Sequence, residues 1–195
     1  MAILTGGGHE VISAGSVRAD DEAGVKGLLD EHKPSHVVCF IGRTHGAGIN
    51  TIDYLEQPGK LVENVRDNLF SPVFLAMECV LRKTHMVYLG TGCIFSADDP
   101  ANSWYTEEAK PDFFGSSYST VKGFTDRLMH SELLEKFVLN VRIRMPLVAD
   151  LNKVCSPSHR LRVRALTAGG TAQLYHQDYH VREDLQHAQL DDRAP

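Results

Sequence analysis

The sequence predicts an α/β fold, in which a parallel sheet is covered by helices on both faces. Three observations predict it. Residues 36–41 form an almost continuous apolar run, as expected of a strand that is buried on both sides. Residues 86–89 form a second such run, which ends in Gly90-Thr91-Gly92. Between the two runs, residues 60–83 carry apolar side chains at helical spacing, so strands alternate with helices.

The other elements follow from the same kinds of pattern. Residues 10–15 are predicted to be a strand, and residues 21–32 a helix that Pro34 closes. Pro72 should distort the long helix. Residues 96–112 are polar and contain prolines, which predicts a loop. A helix running to about residue 136 and a strand over residues 137–143 complete the alternation.

Composition excludes several classes of function. The chain has 195 residues, enough for one domain with a single core. Its net charge is -5, and no basic face suggests nucleic acid. No apolar run is long enough for a membrane span, and the first residues lack the plan of a signal peptide. We therefore expect a soluble, cytoplasmic protein.

The four cysteines lie far apart and form no C-x-x-C motif; they are Cys39, Cys79, Cys93 and Cys155. Three of them lie in apolar runs, which is typical of buried thiols in a reducing compartment. His176 and His180 are four residues apart, but no third ligand accompanies them at a recognisable spacing, so we expect no metal site. His45 lies in a predicted loop, where a histidine is usually a positioning or surface group.

Tyr118 and Lys122 lie four residues apart at the start of a predicted helix, and so share one helix face. A phenol ordinarily has a pKa of ~10, and an ammonium group one turn away should lower that pKa toward neutrality. Thr91 ends the preceding strand, where parallel α/β sheets open onto a ligand crevice. Thr91, Tyr118 and Lys122 thus form a candidate catalytic set for carbonyl reduction. The alternative is a half-buried helix tyrosine and a solvated lysine.

Four short motifs resemble those of the extended short-chain dehydrogenase/reductases. They are Gly90-Thr91-Gly92-Cys93-Ile94-Phe95, Phe114-Gly115-Ser116-Ser117-Tyr118-Ser119, Val121-Lys122-Gly123 and Arg142-Ile143-Arg144-Met145-Pro146. Within that family the chain is most similar to the 4-dehydrorhamnose reductases, including bifunctional 3,5-epimerase/4-reductases that act on UDP- or dTDP-linked 4-keto-6-deoxy sugars. The resemblance covers residues 11–151. It implies a Rossmann-like, doubly wound sheet, NADP(H) or NAD(H) as cofactor and a nucleotide-sugar substrate in rhamnose biosynthesis, and it allows a homodimer.

The resemblance also implies roles for individual residues. Tyr118 would protonate the C4 carbonyl oxygen, Thr91 would hydrogen-bond that oxygen, and Lys122 would tune Tyr118 and hold the nicotinamide ribose. The implied cofactor-binding residues are Arg18, Ile41, Gly42, Arg43, Asn68, Tyr118, Lys122 and Met145. Arg18 could pair with an NADP 2′-phosphate, or it could be solvated while Asp20 and Asp21 cap the next helix. Asn68 could tie its helix to the central strand, or it could be an exposed helix residue.

The sequence departs from the family pattern at both ends. The first strand, the Gly-rich phosphate loop and the first helix are not recognisable, because Gly6-Gly7-Gly8 is followed by no helical pattern. The C-terminal substrate lobe is not recognisable either. We therefore expect residues 1–152 to form a partial NAD(P)-binding domain, residues 153–195 to form a poorly ordered tail, and dinucleotide binding to be weak.

Three hypotheses stay open at this point. The first is a nucleotide-sugar 4-keto reductase. The second is a non-catalytic relative of the same fold that serves a partner enzyme, as in the regulatory subunit of methionine adenosyltransferase. The third is an unstable product of a faulty gene model. The complete Thr91, Tyr118 and Lys122 set argues against an ancestral loss of chemistry, whereas the missing phosphate loop argues against present activity.

Overall fold

The computed structural model describes residues 7–96 and 105–143, and the backbone of residues 164–168 and 171–175. The helices and strands follow in chain order: α1 Glu22–His32, β1 His36–Cys39, a 3-10 helix Ile52–Glu56, α2 Leu61–Val65, a π-helical turn Arg66–Phe70, α3 Ser71–Leu81, β2 His85–Thr91, α4 Ser117–Met129, β3 Val138–Ile143, β4 Arg164–Ala168 and β5 Thr171–Tyr175.

The first three strands form one parallel sheet in the order β1-β2-β3. The register aligns His36 with His85 across β1 and β2, and Thr91 with Ile143 across β2 and β3. β2 is therefore central and its carboxyl end lies beside that of β3. The predicted α/β fold with a parallel sheet is confirmed, and a helix separates each strand from the next.

The described helices pack on one face of this sheet. Val25 of α1, Phe74 of α3 and Met129 of α4 share a buried cluster with Met86 and Tyr88 of β2. Side chains alternate along a strand, so the neighbouring residues point to the opposite face. On that face Val38 is 44%, Phe40 71% and Leu139 62% exposed. In the described ranges, the sheet thus carries an apolar face without a helix on it.

The strand predicted over residues 10–15 is wrong. These residues are irregular, with Gly15 at a φ of 62° in a turn, and Ile12 is 45% exposed. An extended segment becomes a strand only when a neighbour satisfies its backbone groups. The described residues place no strand beside this segment. Gly7 and Gly8 form an exposed turn, in keeping with the predicted loop.

The long predicted helix is present, and Pro72 distorts it as expected. α2, the π-helical turn and α3 follow one another without a break, and the π-helical turn ends two residues before Pro72. Proline has no N–H, so the carbonyl of Asn68 lacks its ordinary helical donor. The hydroxyl of Thr125 on α4 donates to that carbonyl at 2.6 Å. The distortion is therefore compensated by a tertiary hydrogen bond.

Thr125→Val keeps the shape of the side chain and removes the donor to the Asn68 carbonyl. Thr125 is completely buried, so we expect a loss of ~1–3 kcal/mol in the free energy of unfolding, measured by urea denaturation. Thr120→Val is the matched control. The Thr120 hydroxyl donates to Ser116 O, which the N–H of Thr120 already satisfies, and to the exposed carbonyl of Phe114, which water can reach. Equal losses for the two variants would contradict this assignment.

Two of the predicted buried thiols lie in the main core. Cys39 and Cys79 are 2% and 0% exposed. Burial raises the pKa of Cys39 to about 11 and the pKa of Cys79 to about 12, so both stay protonated. Cys93 is half-buried, and Cys155 lies outside the described residues.

β4 and β5 pair in an antiparallel hairpin, with Arg164 opposite Tyr175. The sequence predicts no strand in this segment, because it contains few β-branched residues, so the hairpin is a difference from expectation. The signal for it is Gly169-Gly170, a pair typical of two-residue hairpin connections. The remainder of the predicted tail lies outside the described residues, so its poor order stays a prediction. Within the described ranges, every helix is too short or too polar to cross a bilayer.

Candidate active site

Thr91 and Tyr118 meet at the carboxyl end of β2. Thr91 is the last residue of that strand, and Tyr118 lies in the first turn of α4. The Thr91 side chain lies close enough to the Tyr118 phenol to lower its pKa. The Thr91 hydroxyl also accepts the N–H of Cys93 at 3.1 Å. Both side chains are buried, at 7% and 6% exposure, so this pair lies at the crevice edge of the sheet, where the sequence predicted it.

Three contacts fix the start of α4. Ser116 caps the helix by accepting the N–H of Ser119 at 3.0 Å. The hydroxyl of Ser119 donates to the carbonyl of Cys93 at 2.7 Å, which ties the helix to the turn after Thr91. The carboxylate of Glu56 accepts the N–H groups of Ser117 and Tyr118 at 2.8 and 3.1 Å. An anion at a helix N-terminus accepts hydrogen bonds from N–H groups that have no partner within the helix, and it interacts favourably with the positive end of the helix dipole.

Lys122 lies one turn further along α4 and is 5% exposed, so the alternative of a solvated lysine is wrong. Its ammonium group donates a short hydrogen bond to the hydroxyl of Tyr88 on β2. The Nζ atom also lies 4.5 Å from the centre of the Tyr88 ring. Lys122 therefore reaches the strand that carries Thr91, but its partner is a tyrosine that was not predicted from the sequence.

The expected lowering of the Tyr118 pKa is not found. Burial raises the pKa of Tyr118 to about 12, and the nearby Cys93 adds to the rise, although the hydrogen bond from Thr91 opposes it. Burial lowers the pKa of Lys122 to about 8. Desolvation penalises whichever form is charged. Lys122, whose ammonium group contacts Tyr88, is not among the groups that shift the pKa of Tyr118. Without a ligand, both groups are thus shifted toward their neutral forms.

A second feature is a cleft of about 380 Å³ beyond the carboxyl end of β1. The residues that line it are Arg18, Ala19, Asp20, Phe40, Ile41, Gly42, Arg43, His45, Asp67 and Ser71. Four of the expected cofactor-binding residues therefore lie together: Arg18, Ile41, Gly42 and Arg43. Thr91, Tyr118 and Lys122 do not line this cleft. Met145, also expected at the cofactor, lies outside the described residues.

Charged side chains form a network along this cleft. Arg18 donates to both carboxylate oxygens of Asp20, at 2.8 and 3.2 Å. Arg66 lies 3.6 Å from Asp20 and donates to both oxygens of Asp67. Arg43 donates to Asp67 at 2.5 Å. Burial opposes ionisation of Asp67, but the hydrogen bonds from Arg66 and Arg43 hold its pKa below the usual range. The cleft is therefore lined by paired charges with arginine N–H donors.

Asn68 ties the backbone of Arg43, at the edge of the cleft, to the long helix. Its side-chain oxygen accepts the N–H of Arg43, and its side-chain nitrogen donates to the carbonyl of Arg43, both at 2.9 Å. Asn68 is 1% exposed, so the alternative of an exposed helix asparagine is wrong. A Cβ on Gly42 would lie 3.0 Å from the Asn68 oxygen, so glycine allows this close approach.

The residues around Arg18 reconcile the two alternatives for that segment. Asp21 caps α1 by accepting the N–H of Gly24 at 3.0 Å, as the helix-capping alternative expected. Asp20 pairs with Arg18 instead of capping. The Arg18 side chain is 61% exposed and lines the cleft, so it remains accessible to a ligand.

Three residues of the site were not predicted from the sequence: Glu56, Tyr88 and Asn64, whose side-chain nitrogen donates to the Ser117 hydroxyl at 2.9 Å. Tyr88 had one available signal: strand alternation places it on the same face as Met86, and a buried phenol needs a partner. Glu56 and Asn64 had no such signal, because they contact residues more than fifty positions away.

Comparison with known proteins gives several relatives. No family model matches the chain. The chain is 56% identical over 156 residues to protein L780 of Acanthamoeba polyphaga mimivirus, covering 77% of this chain and 52% of that protein. The crystal structure of L780, a UDP-rhamnose synthase, superposes with a TM-score of 0.69 and 54% identity, over 75% of this chain and 51% of that one.

Two further proteins are similar to this chain. The chain is 34% identical over 143 residues to the bifunctional dTDP-4-dehydrorhamnose 3,5-epimerase/dTDP-4-dehydrorhamnose reductase of Arabidopsis thaliana, covering 70% of this chain and 44% of that protein. The crystal structure of a dTDP-4-dehydrorhamnose reductase of Clostridium acetobutylicum shares the fold. It superposes with a TM-score of 0.61 at 20% identity, over 74% of this chain and 48% of that one. The chain spans about half the length of the mimivirus protein. Over 70–77% of its length, the chain is thus related to a UDP-rhamnose synthase and to proteins of the 4-dehydrorhamnose reductase type, and it shares their parallel α/β sheet.

Proposed function

We propose that this chain carries the reductase site for the C4 ketone of a nucleotide-linked 4-keto-6-deoxy sugar, with NADPH or NADH as hydride donor. The observation that carries the proposal is the juxtaposition of buried Thr91 and Tyr118 at the carboxyl end of β2, with Lys122 one helical turn away. The names of the relatives, a UDP-rhamnose synthase and a bifunctional epimerase/reductase, support the same chemistry. The proposal places the reaction in the cytoplasm, in keeping with the free, buried thiols of Cys39 and Cys79.

The chemistry needs one hydride and one proton. The reduced nicotinamide, when bound, supplies the hydride to C4 of the sugar. The Tyr118 hydroxyl gives its proton to the carbonyl oxygen, so that the ketone becomes a secondary alcohol. The Thr91 hydroxyl donates a hydrogen bond to the same oxygen as negative charge develops on it. Lys122, when protonated, can donate to the ribose hydroxyls and stabilise the phenolate that Tyr118 becomes.

The cleft at β1 supplies the groups that a dinucleotide needs. Arg18 and Arg43 present N–H donors for phosphate, and Gly42 lines the same cleft. Asp20 offers carboxylate oxygens to ribose hydroxyls. Arg18 would favour the 2′-phosphate of NADP, and Asp20 would favour the free hydroxyl of NAD. The pair therefore leaves both cofactors as candidates.

The direct test follows a deuterium label from the cofactor into the sugar. Purified protein is mixed with millimolar NADPH or NADH carrying deuterium at the nicotinamide C4, and with a UDP-linked 4-keto-6-deoxy sugar. We expect a product with one deuterium at C4, detected by mass spectrometry and NMR. High cofactor concentration offsets the weak binding expected from the sequence. Absence of transfer when NMR shows the cofactor bound would overturn the proposal.

Arg18→Ala should affect the affinity for NADPH and the affinity for NADH differently. Loss of the guanidinium removes a donor to the 2′-phosphate, so we expect about a tenfold weaker affinity for NADPH and little change for NADH, measured by calorimetry. Arg82→Ala is the control, because Arg82 pairs with Asp30 and Glu78 and does not line the cleft. An equal loss for NADPH and NADH would show that Arg18 does not read the 2′ position.

A non-catalytic partner protein is the second candidate, and the apolar sheet face with Val38, Phe40 and Leu139 favours it. Such a face is typical of an interaction surface, either with another protein or in a homodimer. Sedimentation measurements over a range of concentrations would detect the homodimer. A chain that binds cofactor, transfers no deuterium and associates through this face would fit the second candidate.

A further inference from the structure

The groups around the Lys122 ammonium come from several elements of the fold. Tyr88 on β2 accepts its hydrogen bond and presents its ring at 4.5 Å. Cys39 on β1, Cys93 in the turn after β2 and Asp126 on α4 are the other titratable groups close enough to influence it. Asp126 is already engaged by Arg142 of β3, which donates to both of its oxygens at 2.8 Å. Tyr88 is thus the hydrogen-bond partner the structure gives to Lys122.

Tyr88 is well suited to this position. It is 1% exposed and lies on the sheet face that the helices cover, in register with Cys39 on one side and Asn140 on the other. Burial raises the pKa of the Tyr88 phenol, so the hydroxyl stays neutral and can accept from an ammonium group. A phenol oxygen and an aromatic face both favour the charged form of a lysine. Burial has the opposite effect on Lys122.

We propose that Tyr88 is a positioning residue of the candidate site, whose hydroxyl and ring hold the Lys122 ammonium in place and keep it charged in the ligand-free protein. The role of Tyr88 in holding Lys122 does not depend on the proposed function. Only its consequence for catalysis rests on that function. A charged, fixed Lys122 is what the donation to ribose hydroxyls and the stabilisation of the Tyr118 phenolate require. A neutral Lys122 could do neither fully.

The sign of the expected effect follows from which form Tyr88 stabilises. Tyr88→Phe removes the acceptor and keeps most of the ring, so the ammonium form loses a charge-assisted hydrogen bond and the pKa of Lys122 falls further. Tyr88→Leu also removes the ring, so its effect should be larger. We expect a downward shift of about one pH unit for Tyr88→Phe.

The test is an NMR titration of the lysine side chains in protein labelled with 13C and 15N lysine. The Lys122 signal, assigned by its loss in Lys122→Met, should titrate with a midpoint near the expected pKa of about 8. The midpoint should drop in Tyr88→Phe and drop more in Tyr88→Leu. Tyr54→Phe is the matched control, because its buried hydroxyl donates to Glu63 and not to Lys122. An unchanged midpoint in folded Tyr88→Phe would overturn the proposal.

A second measurement needs no Tyr88 variant. The 13Cζ signal of Tyr88 in the unsubstituted protein should shift at the pH where Lys122 loses its proton, and Lys122→Met should abolish that shift. A Tyr88 chemical shift that stays constant while Lys122 loses its proton would contradict the proposal, even if the variants fail to fold. Both titrations use ligand-free protein, so they can succeed while the reductase proposal fails. If both proposals hold, the high-pH limb of the deuterium-transfer profile moves with the Lys122 midpoint in Tyr88→Phe.

Discussion

Tyr118→Phe is expected to slow hydride transfer to the sugar ketone by about 10²- to 10⁴-fold, the usual contribution of a positioned proton donor. The variant keeps the aromatic ring and removes only the hydroxyl that lies near Thr91. The carbonyl oxygen must then take its proton from water or from another group. The affinity for NADPH should stay nearly the same. The measurement is the single-turnover rate of deuterium transfer together with calorimetric cofactor binding.

Tyr54→Phe serves as the control for that experiment. It also removes a hydroxyl from a buried tyrosine, but that hydroxyl donates to Glu63 at 2.8 Å. We expect its rate to stay within a few-fold of the unsubstituted protein. A near-normal rate in Tyr118→Phe would show that another acid delivers the proton. A loss of cofactor binding that accounts for the whole effect would assign Tyr118 to binding instead.

Asp126→Ala should be the most destabilising of the substitutions proposed for the described residues. Asp126 is 3% exposed and accepts two hydrogen bonds from Arg142 and one from Asn140, all at 2.8 Å. Removing the carboxylate leaves the Arg142 guanidinium, itself 9% exposed, without its counterion. The carbonyl of Glu107 still accepts one of its N–H groups. Breaking one side of a buried ion pair typically costs ~3–5 kcal/mol in the free energy of unfolding.

Urea denaturation measures this loss, with Asp30→Ala as the control. Asp30 also pairs with an arginine, Arg82, but its side chain is 66% exposed. Exposed ion pairs contribute little, so the urea midpoint should barely move in the control. Similar midpoints for the two variants would mean that Arg142 finds a new partner or reaches water when Asp126 is removed.

Several features of this protein could be read from the sequence because they depend on local order. Apolar runs and helical periodicity predicted the alternation that forms β1, α3, β2, α4 and β3. The spacing of Tyr118 and Lys122 placed both on one face of α4, and both proved buried. Pro72 indicated a distortion that the π-helical turn accommodates. Each of these depends on neighbours within a few positions along the chain.

Tertiary structure alone decided the features that depend on distant contacts and on burial. The sequence does not indicate which group accepts a hydrogen bond from the Lys122 ammonium. Packing of α4 on β2 brings it to the hydroxyl of Tyr88, 34 positions away. Residues 10–15 had the composition of a strand, yet no described strand lies beside them. The Tyr118 pKa rises because burial disfavours the phenolate, while the Lys122 ammonium group contacts Tyr88 instead. Local patterns specify the elements and the face each side chain takes, whereas partners and desolvation are set only when distant segments pack together.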